Sequence, residues 1–121
     1  MIRGIRGAIT IEANEKGLIE NKTEVLLREM IQQNQLEADS IASIFISVTE
    51  DINAGFPAAA VRSFSGFTYV PVMCMREIPV PGSLPLAIRI MIHANTDKAQ
   101  KEINHIYLEG ATVLRPDLKE K

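Results

Sequence analysis

The run from Leu86 to Ala94, LAIRIMIHA, changes character at every residue. Ile88, Ile90 and Ile92 fall on one side, and Ala87, Arg89, Met91 and His93 on the other. A period of two predicts a strand with one apolar face in a core. It also raises a question about Arg89. A guanidinium keeps its charge inside a protein, so it must either face water or meet an anion.

Other segments supply neighbours for this strand. Residues 2 to 11 alternate in the same sense, with Ile5, Ile9 and Ile11 opposite a face of Ile2, Gly4, Arg6, Ala8 and Thr10. Gly4 and Gly7 leave room beside Arg6, as where something approaches a strand closely. Residues 41 to 49, IASIFISVT, carry no charge and predict a central strand. Tyr69 to Glu77 reads as a third strand, and a fifth is expected near His105 to Leu108. The tail ATVLRPDLKEK is expected to add a last extended piece.

Helical signals are few. Ile19, Thr23, Leu26, Leu27, Met30 and Ile31 recur at helical spacing, which predicts an amphipathic helix over 18–34. Pro57, three alanines and a closing Gly66 predict a short helix, and 97–102 a helical turn. The sum is an α+β domain spanning 1–121, with a mixed sheet of five to six strands, one long helix and one short one. One long helix leaves much of such a sheet uncovered, so a homo-oligomer is expected to bury the rest.

Composition narrows the function classes. The 121 residues are 46% apolar and 23% charged, with a net charge of −2, and the arginines are scattered singly. That pattern argues against nucleic-acid binding. No run approaches a membrane span or the core of a signal peptide, and the single cysteine fits a reducing compartment. A soluble, cytoplasmic chain is the expectation.

The usual catalytic signatures are missing. GIRGA is too short for a phosphate loop, and no serine occupies a G-x-S-x-G turn. His93, His105 and Cys74 lack metal-ligand spacing, so neither metal nor cofactor is expected. Cys74 reads either as a small apolar residue or as a nucleophile. Several isolated arginines on apolar scaffolding remain. Arg6 and Arg115 fit edge or tail charges, Arg62 a solvated helix face, and Arg89 an ion pair with Glu77. They equally fit a set of forks converging on a compact, multiply anionic small molecule, since guanidinium binds carboxylate in two parallel hydrogen bonds. Strict alternation sends Cys74 and Glu77 to opposite faces, so both can reach one ligand only if the strand bulges or ends near Met75 and Arg76.

The same residues carry a resemblance. IRGIRGA at 2–8, FPAAAVR at 56–62, YVPVMCMRE at 69–77, IRIM at 88–91 and HIYLEGATVLRPDL at 105–118 are collinear with the pattern of the small AroH-class chorismate mutases. The resemblance implies a homotrimer with a pseudo-α/β-barrel core and active sites between subunits. It implies the conversion of chorismate to prephenate, an intramolecular Claisen rearrangement on the route to phenylalanine and tyrosine. By position, it implies that Arg89 lies against the ether oxygen and a carboxylate, and that Glu77 and Cys74 hydrogen-bond the ring hydroxyl. Arg6, Tyr107 and Arg62 would bind carboxylate, with Arg6 also on the ring hydroxyl. Phe56, Ala58, Val72 and Leu114 would form an apolar wall with Met73 at its rim, and Arg115 with the tail would close the mouth. Two positions depart from the pattern: Ala59 stands where some relatives have lysine, and Met73 where threonine is found. The rival readings are a trimeric carboxylate-binding regulatory module and an imine or enamine deaminase of similar fold.

Overall fold

Residues 1–115 are described by a computed structural model. The chain forms strands β1 (Ile2–Thr10), β2 (Ile41–Val48), β3 (Val72–Arg76), β4 (Ala87–Asn95) and β5 (Ile106–Tyr107). One α-helix, α1 (Lys16–Asn34), connects β1 to β2. The strands make one mixed sheet in the order β3-β2-β4-β1-β5. β4 pairs antiparallel with β1 and β2, while the two outer pairings are parallel.

Periodicity decides which face is covered. Ile88, Ile90 and Ile92 of β4 join Ile5 and Ile9 of β1 and Ile44 and Ile46 of β2 in one apolar layer. α1 lies on this layer through Ile19, Thr23, Leu26, Leu27 and Met30, all buried. Burying each such aliphatic side chain stabilises the fold by about 1.5–3 kcal/mol. The helix approaches β1 closely at Gly7, where an added Cβ would collide with the Met30 sulfur. Polar groups inside are satisfied: the Thr23 hydroxyl donates to the Ile19 carbonyl at 2.6 Å. Buried Asn34 donates to the carbonyls of Met30 (2.9 Å) and Asn104 (2.8 Å) and accepts from the Asn104 amide at 2.8 Å. That side chain ties the end of α1 to the segment leading into β5.

The opposite face carries Arg6, Ser43, Phe45, Ser47, Arg89, Met91 and His93, none of them buried. α1 lies on the other side, and Glu109–Val113 reaches this face at Thr10.

Three expectations need correction. β3 begins at Val72 rather than Tyr69. Consecutive turns bring the chain to Pro71, with the Phe67 amide bonded to the Phe64 carbonyl at 3.3 Å and Val70 to Phe67 at 3.1 Å. The short helix at Pro57–Ser63 is a 3₁₀ helix. The tail is not extended over its first residues: Glu109–Val113 form another 3₁₀ helix, held where the Gly110 amide donates to Thr10 Oγ1 at 2.9 Å. The remainder of the expected tail, from residue 116 on, lies outside the described residues.

Candidate active site

Sheet register assembles the site. Residues directly across neighbouring strands share a face, so Ala8 and Ser47 flank Arg89, while Arg6 and Phe45 flank Met91. Tyr107 of β5 pairs beside Ala8. Beyond β3, the Glu77 amide donates to the Val48 carbonyl at 2.8 Å, extending the ladder by one residue. Glu77 thereby comes level with Thr49, on the same face as Ser47 and close enough for the Ser47 hydroxyl to reach its carboxylate. These positions enclose a cleft of about 270 Å³ on the uncovered face, with Arg6, Glu77, Arg89, Tyr107 and Arg115 on its walls. Phe45 and Ala8 supply its apolar floor.

The cleft is electropositive on balance, with three guanidinium groups and one carboxylate. Arg89 Nε stands 3.8 Å from Glu77 Oε2, and the Arg89 side chain remains 48% exposed. That distance is within ion-pair range but too long for a direct hydrogen bond. The Ser47 hydroxyl donates to the same Glu77 oxygen. Arg6 is fixed from behind, because its amide donates to His105 Nδ1 at 2.9 Å. The arrangement suits a small ligand with several acceptor groups, and Glu77 offers the one acidic acceptor opposite the cations. Among the described residues, no group of three His, Cys, Asp or Glu side chains could hold a metal ion.

Seven sequence-derived candidates lie outside this cleft. Cys74 pairs across from Ile46, so alternation carries it to the opposite face from Glu77, without a bulge between them. It is exposed, in a depression shared with Phe56 and Arg76. Phe56, Ala58 and Arg62 border a neighbouring depression with Lys16 and Gly55, and Phe56 is 78% exposed. Val72 packs partly against the core, while Met73 stands on the open face across from Phe45 and outside the cleft. Leu114 precedes Arg115 but does not line the cleft. One chain thus presents two separate clusters of candidates, an arginine cleft and a Phe56–Arg62 edge.

The edge is held rigidly. Asn14 Oδ1 accepts from the amides of Asn53 and Ala54, each at 3.0 Å, and its Nδ2 donates to Asn53 Oδ1 at 2.7 Å. Sequence reasoning overlooked Ser47 and Phe45. The signal for both was the parity of β2, which becomes informative once β2 is known to run beside β4.

Comparison with known proteins bears on what such a cleft does. The family described as "Chorismate mutase type I" matches residues 2–118. Chorismate mutase AroH of Bacillus subtilis is 48% identical over 118 residues, covering 98% of this chain and 93% of the relative. The AroH chorismate mutase of Thermus thermophilus is 44% identical over 120 residues, covering 98% of each. Among solved structures, the chorismate mutase from Clostridium thermocellum superposes with a TM-score of 0.89 at 50% identity, covering 92% of this chain and 98% of its own. With the family matched over residues 2–118 and relatives of this similarity spanning nearly all of its length, the chain belongs to the type I chorismate mutase family.

Proposed function

We propose that this chain is a chorismate mutase whose active site is the arginine cleft of one copy, completed by the Phe56–Arg62 edge of a second. The reaction converts chorismate to prephenate within one molecule: the ether carbon–oxygen bond breaks as a carbon–carbon bond forms, and no atom is gained or lost. Such a rearrangement needs no nucleophile and no proton relay. It needs the flexible substrate held in its compact conformer, and positive charge where the ether oxygen becomes electron-rich.

The observation that carries the reading is Arg89, held over the cleft by a core strand with its guanidinium half exposed and only loosely paired to Glu77. In this reading Arg89 faces the ether oxygen, and Glu77 accepts a hydrogen bond from the ring hydroxyl. Arg6, Tyr107 and Arg115 engage carboxylates. A preorganised donor to a developing oxyanion is worth about 2.7–4 kcal/mol, or roughly 10²–10³ in rate.

The two-copy arrangement rests on two features. The cleft is open on the sheet face that α1 leaves uncovered, and Phe56, Ala58, Arg62 and Cys74 sit on surfaces that point elsewhere. A trimer built head to tail supplies each cleft with a neighbour's edge.

The test is direct. Purified protein mixed with chorismate should abolish the substrate's ultraviolet absorbance as prephenate forms, and Arg89→Ala should remove that activity far more than it weakens substrate binding. A flat trace with the unaltered protein would refute the assignment.

A further inference from the structure

We propose that Ser47 is a positioning residue that holds Glu77 and keeps Arg89 from closing onto it. The argument starts from strand order. β2 lies between β3 and β4, and Ser47 sits on β2 directly across from Arg89 and, on its other side, across from Met75, with Glu77 two residues further along on the same face and within reach of the Ser47 hydroxyl. The hydroxyl therefore stands between an acid and a base that would otherwise face each other. It donates to Glu77 Oε2, the oxygen that Arg89 Nε approaches no nearer than 3.8 Å.

Electrostatics alone would draw the pair together. Shortening the contact from 3.8 Å to a charge-assisted hydrogen bond near 2.8 Å raises the Coulomb attraction by about a third. A guanidinium drawn in that way turns its Nε–H to a protein acid and away from the cleft. With Ser47 donating to Oε2, one of that oxygen's acceptor sites is taken and the carboxylate is anchored to β2, so Oε1 is left to accept from a ligand and the Arg89 fork stays directed at the cleft. Ser47 thus acts through Glu77 and Arg89, on the open side of the sheet where little packing depends on it.

This inference rests on the cleft being the mutase site, and the experiment separates the two. Steady-state kinetics on chorismate would compare Ser47→Ala, Ser47→Thr, Glu77→Gln and the double variant Ser47→Ala/Glu77→Gln. Ser47→Ala should lower kcat about tenfold or more with a smaller change in KM. Ser47→Thr keeps the hydroxyl and should restore turnover, which a packing defect would not allow. In the Glu77→Gln background, Ser47→Ala should add little, because the group it positions is already gone. Independent, multiplicative losses would overturn the proposal, as would full turnover by Ser47→Ala while Glu77→Gln is impaired. Full turnover by Glu77→Gln itself would instead remove Glu77 from the mutase reading, and this inference with it.

Discussion

A guanidinium half exposed on a strand is either anchored to its own protein or available to a ligand, and the distance to Glu77 decides which. At 3.8 Å, with solvent on one side, the pair contributes at most about 1 kcal/mol and does not lock Arg89 in place. What the site needs from this residue is shape as much as charge. Arg89→Lys keeps a cation but loses the planar fork, and should reduce kcat by roughly 10²–10³, measured by chorismate consumption at saturating substrate. A lysine variant with most of the wild-type turnover would show that any cation at that position suffices. At this scale the sequence was informative where a residue broke a pattern. Arg89 among isoleucines and Arg6 between glycines announce themselves. Ser47 does not, because a serine in a β-rich run resembles any solvent-facing position until its neighbours across the sheet are known. Alternation did separate Cys74 from Glu77, and the register keeps them on opposite faces.

Elements with a full apolar period were legible to within about two residues at each end: α1, β1, β2 and β4 follow directly from their isoleucine, leucine and methionine spacing. The segments that misled were short ones decided by long-range contacts. ATVL has the composition of a strand, yet Ala111 is buried in a 3₁₀ turn fixed by the bond from Gly110 to Thr10, a hundred residues away in sequence. A local reading contains no trace of that contact. The end of α1 offers a prediction at this scale. Gln35 is exposed and takes a left-handed conformation (φ 53°, ψ 46°), its amide and that of Leu36 closing the last turn onto the Gln32 and Ile31 carbonyls. A left-handed backbone costs an L-residue about 1–2 kcal/mol, while glycine gives back about 0.5–1 kcal/mol in chain entropy. Gln35→Gly should therefore stabilise the protein by about 0.5–1 kcal/mol. Chemical denaturation should show a higher midpoint at unchanged slope.

At the scale of the whole molecule, the decisive feature is that candidates from one chain divide between two surfaces. If the cleft of one copy works with the edge of another, two inactive variants can repair each other. Arg89→Ala damages the cleft and Arg62→Ala the edge, so each homo-oligomer should be impaired. Random mixtures, formed by co-expression or by unfolding and refolding the two together, should regain activity at about a quarter of all sites, one in each mixed trimer, where an intact cleft meets an intact edge. Turnover per mole above that of either variant alone is the expected readout. No gain in oligomers verified as mixed by mass spectrometry would place Arg62 outside the working site. The sequence pointed to association because one helix cannot cover five strands. It left the division of labour between surfaces invisible, since that depends on where each strand's alternate residues point.

Asn14 grips two successive amides just ahead of Phe56, so the backbone leading into this exposed ring is pinned while the ring stands in water. A segment whose backbone is already fixed surrenders little chain entropy when another surface arrives. If a second copy docks through this edge, its approach should be limited by collision and orientation instead of by loop refolding.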